Sequence, residues 1–189
     1  MTDDLADTLR TVIGLLDELR VRYMLVGSVA ALAHGRSRAT QDFDLVVEID
    51  ADRVRRLLAR LPADRFYASE EAALEALRRE TLFNVIDLRT GWKVDFVPLK
   101  DREFSRTEFA RRQSVELLGM SVFVASLEDT MIAKLEWAKL GGGSARQIED
   151  AKELVRIMGP RLDRAYVQRW VDELGLAVEW EAASAISDG

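Results

Sequence analysis

The sequence predicts an α/β (α+β) protein, with strands and helices mixed over roughly the first two thirds of the chain and helices alone thereafter. Short apolar runs stopped by turn-forming residues supply the strands, all of them before residue 126. Segments with apolar residues three and four apart supply the helices. The size, 189 residues with 48% hydrophobic and 32% charged, suits one ordinary domain or one domain with a helical appendage.

Leu5, Leu9, Val12, Ile13, Leu16 and Leu19 share one helical face, so the chain opens with an amphipathic helix. A strand at 23–26 is stopped by Gly27 and Ser28, and the small apolar run 29–33 before Gly35 reads as a short helix. The run 43–47 is a second strand, and 51–61 a helix with an arginine-rich outer face. Ser69 is the N-cap of a helix reaching about Glu80, because its hydroxyl can accept from a first-turn N–H. The runs 82–87 and 93–97 flank Thr90-Gly91 and form a hairpin. A shorter hairpin joins 115–118 to 122–124 near Gly119.

Beyond Ser126 three helices follow. Ser126 with Asp129, and Ser144 with Gln147, have capping-box spacing or a close variant. The first helix ends at the glycines 141–143, the second at Gly159-Pro160, and the third runs from about Asp163 to Gly175. The tail after Trp180 is expected to fray. A boundary near Ala125 divides an α/β core, 1–125, from a helical segment, 126–189, packed on it.

Composition removes several chemistries. Without cysteine there is no disulfide, thiolate nucleophile, iron–sulfur cluster or cysteine zinc site, and one histidine, His34, cannot build a multi-histidine metal centre. Carboxylates, Lys and Arg, hydroxyls and backbone amides remain. A formal charge of −6 excludes a generally basic nucleic-acid coat, so any contact with a polyanion is local. No apolar run spans a bilayer, and the start MTDDLADTLR lacks the features of a secretory signal, which predicts a cytoplasmic protein.

The chemistry-bearing segment is Gly27-Ser28 followed by Gln41-Asp42-Phe43-Asp44-Leu45. Residues two apart on a strand point the same way, so Asp42 and Asp44 share one face while Phe43 and Leu45 face the core. Adjacent carboxylates repel, and a hard divalent cation such as Mg²⁺, shared with a substrate phosphate, relieves that repulsion. A Gly-Ser turn between strand and helix gathers N–H groups that can receive a phosphate. Asp95, flanked by Val94 and Phe96, is an acid in an apolar strand and needs a cation or strong donor. Asp87 is its rival, set beside a turn where water solvates it.

Taken in order, Val26-Gly27-Ser28, Asp42-Phe43-Asp44 and Asp95 resemble the pattern of the DNA polymerase beta-like nucleotidyltransferase superfamily. The spacing from Gly-Ser to Asp42, with Arg36, Arg38 and Thr40 before the acids, looks more like the AbiEii-type toxin branch. Lys134, then Arg146 and Asp150, is similar to that branch's C-terminal motifs. The resemblance covers about residues 23–155. It implies a mixed β-sheet flanked by helices and metal-dependent transfer of a nucleoside monophosphate from an NTP. The acceptor would be RNA, tRNA among the candidates, or a protein, and a cognate toxin or antitoxin partner is implied.

On that resemblance Asp42, Asp44 and Asp95 bind Mg²⁺ or Mn²⁺, and Gly27, Ser28, Arg38 and Lys134 bind the nucleotide. The alternative is a non-catalytic module of the same fold that binds a nucleotide or a partner. Other conspicuous residues have plainer readings. His34 closes a short helix, and Arg53, Arg55, Arg56 and Arg60 make a solvated helix face. Trp92, Trp137, Trp170 and Trp180 are packing residues. Lys139 adjoins a glycine loop that serves as a hinge or C-cap.

Overall fold

The computed structural model describes residues 2–27 and 42–185. The expected short helix at 29–33, His34, and the residues 36, 38 and 40 before the acid pair lie outside the described residues. The chain divides into two compact units, Met1–Ala125 and Ser126–Gly189.

The first unit opens with α1 (Thr2–Glu18). Its predicted apolar stripe, Leu5, Leu9, Val12, Ile13 and Leu16, is buried. Arg20 takes a left-handed φ of 54°, and Val21 N–H bonds back to the Leu16 carbonyl at 2.8 Å. This Schellman-type ending, with arginine where glycine is usual, turns the chain into the first strand. Seven strands follow: β1 (Arg22–Val26), β2 (Asp42–Glu48), β3 (Phe66–Tyr67), β4 (Phe83–Asp87), β5 (Lys93–Pro98), β6 (Gln113–Leu117) and β7 (Met120–Val124). The helices among them are α2 (Ala51–Arg60), α3 (Glu70–Arg78) and α4 (Glu103–Ala110).

All seven strands form one mixed sheet in the order β3-β4-β5-β2-β1-β7-β6. The pairs β2/β5 and β1/β7 are parallel and the others antiparallel. The two hairpins stand where the sequence placed them. Leu118 and Gly119 both have positive φ, 51° and 74°, in the two-residue turn between β6 and β7. Such a turn matches the strands' twist, and only its second position has a residue suited to it.

One sheet face carries the main core. Tyr23, Leu25, Phe43, Leu45, Val47, Val94, Phe96, Phe83 and Val85 join the α1 stripe, Val54 and Leu57 of α2, and Ala73 and Ala76 of α3 in one apolar cluster. Phe83 and Phe96, opposite each other across β4 and β5, stack with ring centroids 5.0 Å apart. On the other face Met24, Phe109 and Ala125 form a small cluster with Val26, Val46 and Leu99. Toward one end, that face carries Asp42, Asp44, Asn84, Lys93 and Asp95, with Ile86 and Val97 among them.

The second unit holds α5 (Leu127–Leu140), α6 (Ala145–Met158), a 3₁₀ turn (Gly159–Arg161), α7 (Arg164–Leu174) and α8 (Ala177–Ser184). Ser126 caps α5 by accepting from Asp129 N–H at 3.1 Å, and its hydroxyl donates to the Asp129 carboxylate at 2.6 Å. Tyr166 of α7 donates to the other Asp129 oxygen. Lys139 donates to the carbonyls of Leu174 and Gly175, so it caps the end of α7.

Several expectations need correction. Helix α4 and strand β3 were not foreseen. Ser144 stands at the N-cap of α6 but makes no side-chain cap bond. The chain stays helical past Trp180, through Ser184. Trp92 and Trp170 are buried as packing residues, whereas Trp137 is 65% exposed. Among the described residues no helix is long and apolar enough to cross a membrane.

Candidate active site

The polar half of the second sheet face is built by register. Parallel pairing of β2 with β5 sets Asp42 beside Lys93 and Asp44 beside Asp95, while β1 pairs Val26 with Asp44. Gly27, the next residue after β1, therefore lies at the same end of the sheet. Phe43, Leu45, Val94 and Phe96 alternate with these residues and are fully buried on the core face. The alternation expected from the Asp-X-Asp pattern is thus observed, and three adjoining strands bring Gly27, Asp42, Asp44 and Asp95 to one edge of the fold.

Gly27 and Asp44 fit each other closely. Gly27 has φ +67°, and a Cβ at that position would stand 2.5 Å from Asp44 Oδ2. Only glycine accepts both the backbone and the neighbouring carboxylate without a shift. Asp95 is nearly enclosed, its side chain 9% exposed. Its Oδ1 is buried with no hydrogen-bond partner among the described residues. A carboxylate oxygen left so carries a desolvation cost, which a cation or donor from a ligand would offset.

The other oxygen, Asp95 Oδ2, accepts from Lys93 Nζ at 3.0 Å, and the same ammonium is 3.7 Å from Asp42 Oδ2. That hydrogen bond to Asp95 raises the Lys93 pKa above the usual lysine range; burial opposes the rise, and the charges of Asp95, Asp42 and Asp44 add to it. Sequence reasoning passed over Lys93 although its position two residues before Asp95 puts it on the same strand face. The signal was in the period of two.

The donor set suits a hard divalent cation, being carboxylate oxygen throughout, with one oxygen of Asp95 still to be satisfied. Among the described residues no group of three or more acidic, histidine or cysteine side chains is already drawn together as a cage. The Lys93 ammonium lies among the carboxylates.

Asp87 departs from expectation. It is fully buried on the core face. Burial would push its carboxyl up, but hydrogen bonds from Arg65 and Thr8, the Arg65 charge and the Arg89 backbone N–H together hold it at about 2. Arg65 Nη2 is 2.5 Å from Asp87 Oδ2, and Thr8 donates to the same oxygen at 2.7 Å. Asp87 ties β4 to α1 and the loop before β3, and none of its neighbours is a site residue.

The remaining candidates divide as follows. Ser28 and Arg38 lie outside the described residues. Lys134, in the second unit, donates to Asp150 Oδ2 at 2.6 Å and to Gln147 Oε1 at 3.4 Å, joining α5 to α6. The arginines of α2 behave as a solvated face: Arg53 pairs with Asp50, Arg55 with Asp52 and Glu70, and Arg60 with Glu18.

No family model matches this chain, and no curated protein matches it. Solved structures do. The fold is similar to an antigenic nucleotidyltransferase-like protein from Paracoccidioides brasiliensis at 18% identity and a TM-score of 0.57, over 96% of this chain and 92% of that one. It is similar to the antibiotic-resistance factor ANT(2'')-Ia at 15% identity and a TM-score of 0.56, over 97% of this chain and 96% of that one. A second structure of that factor, in complex with adenylyl-2''-tobramycin, aligns with a TM-score of 0.53 at 16% identity over 92% of this chain and 98% of that one. These likenesses show a nucleotidyltransferase-type fold: a mixed seven-stranded sheet flanked by helices.

Proposed function

We propose that this chain is a metal-dependent nucleotidyltransferase, which moves a nucleoside monophosphate from an NTP to an acceptor hydroxyl and releases pyrophosphate. The observation that carries the reading is the in-register Asp44–Asp95 pair on adjacent parallel strands, beside Asp42 and Gly27, whose positive φ and close approach to Asp44 favour glycine. Fold likeness to a factor held with an adenylylated aminoglycoside supports the reaction class for this fold.

In this reading Asp42, Asp44 and Asp95 hold Mg²⁺ or Mn²⁺, which when bound neutralises charge on the triphosphate. Gly27 and Ser28 bind the phosphates through their backbone N–H groups in this reading. An acceptor oxygen bonds to the α-phosphorus, the bond from that phosphorus to the bridging oxygen breaks, and pyrophosphate leaves. Asp95 would help hold a metal that lowers the acceptor's proton affinity, so that the proton passes to solvent as the new bond forms. Arg38 and Lys134 balance phosphate charge in this reading. An RNA or protein acceptor, the AbiEii-type branch and a toxin–antitoxin pairing rest on the motif order and on Lys134 with Asp150.

A second reading, a non-catalytic module on this fold, is favoured by the Lys93 ammonium among the carboxylates. One experiment separates the two. The protein is incubated with each labelled NTP and Mg²⁺ or Mn²⁺, in the presence of total RNA, cell extract or an aminoglycoside. The enzyme labels one of these and releases pyrophosphate, and Asp44→Asn abolishes both while leaving the circular dichroism spectrum unchanged. Equal turnover by Asp44→Asn would reject the metal role, and nucleotide binding without any pyrophosphate would select the module.

A further inference from the structure

The β2/β5 register sets three carboxylates at one end of the sheet, and Lys93, from the same strand as Asp95, reaches two of them. We propose that Lys93 is the resident counter-ion of this cluster, and that it gives way when a divalent cation and a triphosphate arrive together, coupling the two binding events through one side chain. This inference rests on the nucleotidyltransferase reading above.

Position is the first argument. Asp42 pairs with Lys93 and Asp44 with Asp95 in the β2/β5 register, so all four side chains leave the sheet on one face. Nζ stands 3.0 Å from Asp95 Oδ2 and 3.7 Å from Asp42 Oδ2. Without a cation, bringing three carboxylates to this edge would be opposed by their repulsion, and one ammonium lowers that cost.

Exclusion is the second. An ammonium and a divalent cation cannot share the same oxygens, because like charges at contact repel strongly where water is scarce. A metal entering alone on the unpartnered Asp95 Oδ1 comes close to the Lys93 ammonium held by Oδ2, and the repulsion between the two cations drives Lys93 away. That displacement leaves a lysine without its anion and weakens metal binding by the strength of the lost ion pair.

Destination is the third. The Lys93 side chain is 35% exposed and ends on an unbranched, flexible stem. A triphosphate brought with the metal is a new anion at this same edge, beside Gly27, and lysine serves phosphates well as a mobile point charge. When both ligands bind, Lys93 exchanges carboxylate for phosphate and the penalty disappears. Metal binding should therefore be weak alone and stronger with triphosphate.

The test measures Mn²⁺ affinity by its paramagnetic resonance signal, with and without inorganic triphosphate and corrected for Mn²⁺ held by triphosphate in solution. Wild type is compared with Lys93→Met and Lys93→Arg, each checked for fold by circular dichroism; Lys93→Gln replaces Lys93→Met should the latter not fold. Lys93→Met should bind Mn²⁺ alone about tenfold more tightly than wild type, the effect of losing one competing ion pair. Its further gain on adding triphosphate should shrink. Lys93→Arg, which keeps a cation, should bind Mn²⁺ alone as weakly as wild type. If wild type binds Mn²⁺ and Lys93→Met binds it no more tightly, the role of Lys93 is overturned and the metal reading stands. If no variant binds Mn²⁺ with or without triphosphate, the metal-dependent reading fails, and this inference with it.

Discussion

Gly27 shows how much one missing atom can decide. Its φ of +67° and the 2.5 Å approach that a Cβ would make to Asp44 Oδ2 act together. Gly27→Ala should lose about 1–2 kcal/mol in urea unfolding from the left-handed backbone alone. It should also lose nucleotide turnover out of proportion, because the methyl pushes the Asp44 carboxylate from its place. Turnover equal to wild type in a folded Gly27→Ala protein would separate Gly27 from the site.

Asp87 is a different kind of acid, held at about 2 against an ordinary 3.8. A depressed pKa contributes stability that is complete above the unfolded value and is lost as pH falls through the folded one. The difference corresponds to roughly 2 kcal/mol, present above about pH 4 and gone near pH 2. Urea unfolding at a series of pH values should show this loss, and Asp87→Asn should flatten the curve in that window. Val94 and Phe96 on either side made legible that Asp95 stands in an apolar strand, where the register sets it beside Asp44. That Asp87 is buried was not legible, since its partners Thr8 and Arg65 lie 79 and 22 residues away.

Among the elements, capping separates two serines that look alike in sequence. Ser126 is buried, caps α5 and donates to Asp129, which also receives Tyr166. Ser126→Ala should cost about 1–2 kcal/mol. Ser144 makes no side-chain cap bond, and Ser144→Ala should change stability by less than about 0.5 kcal/mol. Thermal melts of the two variants side by side would check the contrast. The same lesson applies to what was missed. Helix α4 has Arg102 at its N-cap without a side-chain bond, and it buries Ser105 and Glu108 with Phe104 and Phe109, which blurs an apolar stripe. Strand β3 has two residues, too few to show alternation. Long amphipathic α1 and the strands with clear alternation were readable because their period is dictated by a single buried face.

Across the whole molecule, a formal charge of −6 sets what the surface can do. Three of the four α2 arginines, Arg53, Arg55 and Arg60, which could be taken for a polyanion track, are paired with acidic neighbours. The protein should therefore pass through a heparin column at about 0.15 M salt, since generic polyanion binding needs an excess of positive charge. Retention there would indicate a basic surface that the net charge conceals. The sheet order has its own consequence. Strand β1, laid down at residues 22–26, gains its parallel neighbour β7 only through Leu25 opposite Val124 and the bond from Ala125 N–H to the Leu25 carbonyl, 3.0 Å long. During synthesis on the ribosome, the middle of the sheet thus stays open along one side until about a hundred further residues have emerged, and a nascent chain stalled before β7 exposes an apolar template for aggregation.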